Sequence, residues 1–135
     1  MKLKKTFHGS CHCGAVRFEA DIDLDQGTSK CNCSSCAKGR FWKAIVGADA
    51  MRMIAGNGRL TEYQFGRKAI THFFCQTCGV KPFGRGEMEN TGVFYGINLA
   101  CLDDLTPEEL LAAPLEYQDG KHDHWERIPE EARHL

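Results

Sequence analysis

Eight cysteines in 135 residues are the chain's main chemical resource. Seven fall into three groups: Cys11 and Cys13 as C-x-C, Cys31, Cys33 and Cys36 as C-x-C-x-x-C, and Cys75 and Cys78 as C-x-x-C, with Cys101 standing alone. Residues i and i+2 of an extended strand face the same way, so a C-x-C is expected to offer two sulfurs to one ion. A C-x-x-C converges its sulfurs by reversing direction in a tight turn. Gly14 follows Cys13 and Gly79 follows Cys78. Glycine at these positions allows a positive φ that aims backbone N–H groups at the thiolates, as zinc knuckles require.

The spacing suggests a division of labour. Cys11, Cys13, Cys75 and Cys78 are two convergent pairs distant in sequence, suited to a closed tetrahedral zinc site that clamps the fold. Cys31, Cys33 and Cys36 supply three thiolates from one loop and leave a fourth position free, the way catalytic zinc is built. The alternative is that every cysteine serves structure, with Cys101 closing the second site. The opening MKLKKTFHGSCHCG turns polar at once and lacks an apolar secretory region, so a reducing cytoplasm is expected and a disulfide scaffold is disfavoured.

At an open three-thiolate site the natural guest is another thiol. A free thiol with a pKa of about 8.5 is mostly protonated at neutral pH, and the thiolate is the nucleophile. Zinc at a vacant position can take the sulfur and release its proton, or polarise an aldehyde oxygen. Three thiolates leave the site with net charge −1, which weakens Lewis acidity and favours the thiol-binding role. Ser34 and Ser35 lie inside the loop, and Lys38, Arg40 and Lys43 follow it, where cations can meet substrate carboxylates or simply be solvated. Phe41 and Trp42 either wall the site or belong to the core. His12, between two ligands, is expected on the opposite face of a strand. His72 reads as a structural histidine, while His122 and His124, flanking Asp123, are acid/base or metal candidates. Cys101 reads most simply as a small buried hydrophobe.

The elements that must position these residues are mostly short strands. Ala15 to Ala20 alternates apolar and polar, and runs rich in β-branched or aromatic residues follow at Phe41 to Val46, Leu60 to Phe65, Ile70 to Phe74 and Val93 to Ile97. Glycine turns are expected at Gly56-Asn57-Gly58 and at Phe83-Gly84-Arg85-Gly86. One short helix is expected, with Thr106 as N-cap, Pro107 in the first turn and Pro114 beyond its end. A further helical turn is expected at Pro129 to His134. The fold class is mainly β, in a single domain over residues 1–135.

A net charge of −1 provides no broad field for nucleic acid or an anionic membrane. The basic cluster Lys2, Lys4 and Lys5 reads as solvated charge or an edge-strand guard. No window approaches the roughly 18 apolar residues of a membrane span. Neither a nucleic-acid nor a membrane partner is therefore expected.

The sequence resembles the glutathione-dependent formaldehyde-activating (GFA/CENP-V) family. The likeness rests on Gly9-Ser10-Cys11-His12-Cys13-Gly14-Ala15-Val16, Cys31-Asn32-Cys33-Ser34-Ser35-Cys36 and Phe74-Cys75-Gln76-Thr77-Cys78-Gly79. It continues in Tyr95-Gly96-Ile97-Asn98-Leu99 and Asp119-Gly120-Lys121-His122-Asp123-His124-Trp125. The resemblance implies an Mss4-like fold of several antiparallel sheets around zinc sites. It also implies two zinc ions per chain, with Cys11, Cys13, Cys75 and Cys78 structural and Cys31, Cys33 and Cys36 catalytic. The activity it implies is that of a carbon–sulfur lyase joining glutathione and formaldehyde to give S-hydroxymethylglutathione. Two other classes compete with this reading: a zinc-scaffolded protein-binding module, and a thiol-responsive zinc sensor or carrier.

Overall fold

Alternating apolar and polar residues build two sheets whose inner faces share one core. The computed structural model describes residues 4–135. The smaller sheet contains β1 (Lys5–Ser10), β2 (Arg17–Ile22) and β5 (Met51–Ala55) in the order β1-β2-β5, all antiparallel. The larger has seven strands: β3 (Thr28–Cys31), β4 (Trp42–Gly47), β6 (Leu60–Tyr63), β7 (Ile70–Cys75), β8 (Phe83–Met88), β9 (Gly92–Asn98) and β10 (Leu115–Gln118). Their order is β10-β3-β4-β9-β8-β7-β6, antiparallel except for the parallel pair of β10 with β3.

The core lies between the sheets. Phe7, Phe18, Ala20 and Ile22 from the smaller sheet meet Ala44, Val46, Phe83 and Ile97 from the larger, with Leu99, Cys101 and Leu102 joining them. Phe18 and Phe83 meet edge to face with ring centroids 5.5 Å apart, a favoured aromatic geometry across the interface. Lys5 opens the edge strand β1 and pairs with Glu109 at 2.9 Å, while Lys2 lies outside the described residues.

Helix α2 (Pro107–Ala112) has the expected start. Thr106 Oγ1 accepts from Glu109 N at 3.1 Å, and the Glu109 carboxylate accepts from Thr106 N at 3.1 Å, a reciprocal capping box. A second helix, α1 (Ser34–Gly39), was not expected from the sequence and carries Cys36. Two further expectations are corrected. Phe83 to Gly86 is strand rather than turn, because Gly84 and Gly86 fall on alternate positions and pair in register with both β7 and β9. Residues 129–134 form no helical turn; only a tight bend closes there, with Leu135 N donating to Ala132 O at 3.0 Å.

Candidate metal centres

Strand ends and turns bring the cysteines together in the two groups that their spacing suggests. Cys11 follows β1, and Cys75 ends β7. The segment Cys11–Gly14 is a turn, not the extended strand expected for C-x-C, so strand alternation does not place His12, which is exposed and stands outside the four-sulfur group. Gly14 sits at φ +81° and Gly79 at φ +78°, and their N–H groups donate to Cys11 O and Cys75 O at 3.3 and 2.9 Å. Glycine is favoured at both because L-residues with a Cβ resist positive φ. The turns also point amides at sulfur: Val16 N donates to Cys11 Sγ at 3.3 Å and Thr77 N to Cys75 Sγ at 3.4 Å.

Cys11 Sγ and Cys13 Sγ are 3.7 Å apart, and Cys13 Sγ and Cys75 Sγ 3.6 Å. A tetrahedron with metal–sulfur bonds of about 2.3 Å has sulfur–sulfur edges of about 3.8 Å, so the four donors fit one thiophilic cation. All four sulfurs, including Cys78, lie within 4.8 Å of one another. The thiols are electrostatically unequal without a cation. N–H groups of Val80 and Cys13 bring Cys78 down to about 6. Cys13 is pushed up to about 11: the amide of Ala15 favours its thiolate, but burial and the neighbouring sulfurs outweigh it. A divalent cation is what would let all four ionise together.

Cys31, Cys33 and Cys36 form the second group, their sulfurs also within 4.8 Å. Cys31 ends β3 and Cys33 is the N-cap of α1, its sulfur accepting from Cys36 N at 3.3 Å while Cys31 Sγ accepts from Cys33 N at 3.3 Å. Thiol hydrogen bonds from Cys31 and Cys36, then backbone N–H groups, hold Cys33 far below the ordinary thiol range. The bond to Cys33, with burial, pushes Cys31 up against the opposing bond to Cys36, and the bonds to Cys31 and Cys33, with burial, push Cys36 up. Cys33 is thus the thiol of the three whose ionisation the loop favours, and a cation would favour all three. Cys101 joins neither group: it is buried beside Leu99 and Leu102, burial raises it to about 12, and its sulfur faces Lys81 O at 3.7 Å.

The C-terminal motif wraps the triad loop. Asn32 Nδ2 donates to Asp119 Oδ1 at 2.8 Å, and Lys121 N donates to Asn32 Oδ1 at 2.9 Å. His122 Nδ1 meets the Asp119 carboxylate at 2.9 Å, so His122 supports the loop from outside. A Cβ on Gly120 would lie 2.5 Å from Cys31 Sγ and 2.5 Å from the Trp125 ring; only glycine lets this segment approach the sulfur. Beside α1, a cavity of about 850 Å³ is lined by Ser34, Lys38, Asp119, Lys121, His122 and Arg127, among others.

Of the remaining candidates, Arg40 donates to His134 O at 2.6 Å, so its guanidinium is already engaged with backbone. Trp42 packs against the main core and donates to Thr28 Oγ1 at 2.9 Å. Lys43 acts on Cys36 electrostatically and donates to Gln118 Oε1 at 3.2 Å. His124 lies 3.6 Å from the Glu126 carboxylate. Lys81 was not singled out by sequence reasoning. Half-buried, it places Nζ 2.6 Å from His72 Nδ1 and 4.0 Å from the Phe41 ring centroid, within the field of Cys33 and Cys36. Its only signal in the sequence is its position three residues after Cys78.

Residues 6–118 match the family model described as glutathione-dependent formaldehyde-activating enzyme. The chain belongs to the GFA family. A crystal structure of a Rhodobacter sphaeroides protein is similar, with a TM-score of 0.68 and 32% identity, covering 80% of this chain and 98% of that one. Both thiol groups of this GFA chain fall within the matched residues.

Proposed function

We propose that the protein is a zinc enzyme of carbon–sulfur lyase type that acts on thiol–aldehyde adducts, with glutathione and formaldehyde as the pair the family description points to. Cys11, Cys13, Cys75 and Cys78 would hold a structural zinc, and Cys31, Cys33 and Cys36 a catalytic one. The observation that carries this reading is the asymmetry of the two groups. Four sulfurs from distant segments complete one tetrahedron, while three sulfurs of one loop meet no further Cys, His, Asp or Glu ligand among the described residues. Zinc bound there would supply a lowered thiol pKa to an incoming substrate.

In the synthetic direction the substrate sulfur bonds to the aldehyde carbon, the C=O π bond breaks, and the thiol proton ends on the new hydroxyl oxygen. The chain's contribution is to hold the site ready. The N–H groups of Cys33 and Cys36 disperse charge on the sulfurs, and the Asn32–Asp119 hydrogen bond fixes the triad loop. A single domain in the cytoplasm, with a small thiol as partner, completes the proposal. No helix among the described residues is long and apolar enough to cross a membrane.

The test is calorimetric titration of glutathione into the zinc-loaded protein and its Cys33→Ser variant. Only the native protein should bind, and binding should strengthen as pH rises toward the thiol pKa, because the thiolate is the species bound. With formaldehyde added, NMR should show S-hydroxymethyl adduct forming faster than the spontaneous reaction. No binding at millimolar glutathione, with zinc confirmed at the triad, would remove the glutathione reading.

A further inference from the structure

Across the outer row of the larger sheet, Ile45 pairs with Gly96, Gly96 with Gly84, and Gly84 with His72. The two central positions carry no side chain. A Cβ on Gly96 would meet Lys43 Cδ at 3.6 Å and Phe41 Cε2 at 3.7 Å, and one on Gly84 would meet Lys81 Cε at 3.9 Å. Two lysine stems and one aromatic ring therefore lie over this bare strip. The strip adjoins the triad: Gln118, which accepts from Lys43, is the register partner of Cys31, and Phe41 N, below the ring on which Lys81 rests, donates to Cys36 O at 3.2 Å.

Lys81 is held there from behind. Asn98 Nδ2 donates to Lys81 O at 2.8 Å, and Asn98 N donates to Pro82 O at 3.0 Å, so β9 fixes the backbone from which the side chain leaves. Its Nζ then rests on the Phe41 face at 4.0 Å and against His72 Nδ1 at 2.6 Å. Lys43 Nζ is held by Gln118 Oε1 at 3.2 Å. Neither ammonium pairs with a carboxylate among the described residues: their neutral partners are an imidazole and an amide. A half-buried ammonium carries a desolvation cost that a carboxylate ordinarily offsets. Here two lie side by side despite mutual repulsion. Three thiolates around a divalent cation leave one net negative charge, and the two lysines turn the surroundings net positive.

We infer that Lys81, with Lys43 beside it, is the receptor for a carboxylate of the substrate, so that the site selects acidic thiols over neutral ones. This rests on the reading of the triad as a thiol-binding site and adds the charge class of the thiol. Lys81 is on this view a specificity-determining residue. With one N–H given to His72, it presents up to two more donors on a stem fixed at its root, and a hydrogen bond to a charged group at a partly desolvated site is worth about a tenfold change in affinity.

The experiment compares 3-mercaptopropionate with its neutral isostere 3-mercaptopropionamide by calorimetry on the zinc-loaded protein, with metal content measured in each variant. Native protein should prefer the carboxylate about tenfold. Lys81→Met should abolish the preference while leaving amide affinity and zinc content unchanged, and Lys81→Arg should restore most of it. Equal affinities for the two probes in the native protein would overturn the inference while leaving the thiol-site reading intact. So would a preference that survives in Lys81→Met and also in Lys43→Met. Binding of neither probe would overturn both. The native comparison needs no variant, so a poorly folded substitution does not shelter the inference.

Discussion

The sulfurs of Cys13 and Cys75 lie 3.6 Å apart although 62 residues separate them in the chain. A cation held by these two and their partners would tie β1 to β7, so its binding energy would be folding energy. The triad makes no comparable long-range tie through its own ligands. Cys75→Ala should therefore lower the Tm by about 10 °C or more, and Cys33→Ser should shift it by less than about 3 °C. Thermal unfolding followed by circular dichroism reads both, and equal losses would contradict the division.

Metal analysis should find two zinc ions per chain, one of them removed first by mild chelation. Three protein donors hold an ion less tightly than four, and the triad offers only three. One tightly held zinc with freely alkylated triad cysteines in the native protein would sink the two-site description.

Gly120→Ala should act on the triad alone. The added Cβ would stand 2.5 Å from Cys31 Sγ, forcing the 119–125 loop off the sulfur and loosening the Asn32–Asp119 bond behind it. Loss of such an outer support typically costs ~10-fold or more in metal affinity. Competition with a chromophoric chelator should show the labile zinc weakened by that factor and the tight one unchanged.

His72 should remain neutral well below its ordinary pKa. Desolvation, then the charge of Lys81, lowers it from 6.5 to about 4. Between those values the unfolded chain binds the proton and the folded chain does not, so this group makes stability fall as pH drops from 6.5 toward 4. Nitrogen NMR at pH 5.5 should show the neutral Nε2–H tautomer, with Nδ1 accepting from Lys81, and His72→Gln should flatten the acid limb of the urea midpoint. A doubly protonated ring at pH 5.5 would contradict this.

Much of the site was legible because sulfur needs so little context. Cys11, Cys13, Cys75 and Cys78, and separately Cys31, Cys33 and Cys36, assemble as their spacing implies, with Gly14 and Gly79 at positive φ. Helix α2 was legible for the same kind of reason, since Thr106, Pro107 and Glu109 are start signals in themselves. Helix α1 was not. Its N-cap is Cys33, a residue type outside the usual capping set, and six residues give too little periodicity to read. β8 was hidden by Gly84 and Gly86, which imitate a turn until β7 and β9 are paired on either side. What Lys81 does, and what Gly120 does within the Asp119–Trp125 motif, was invisible for a third reason. Their roles depend on contacts with Phe41, His72 and Cys31, which only the folded chain brings near.

The parallel pairing of β10 with β3 sets the order in which a growing chain can finish its two thiol clusters. Every sulfur of the four-cysteine group has been synthesised by residue 78, and the hairpins that present them need little more than β8 and β9. The triad sulfurs exist much earlier, at residues 31 to 36, yet their backing arrives last. Cys31 gains its strand partner only when Gln118 is made, and Asn32 meets Asp119 across 87 residues. Long closures of this kind are slow, and parallel pairs are slower still. On the ribosome the triad thiols would therefore wait, unbacked, through most of synthesis. Loading of the tighter cluster would precede the walls of the looser one, so the scaffold would be locked before the reactive pocket takes its final shape.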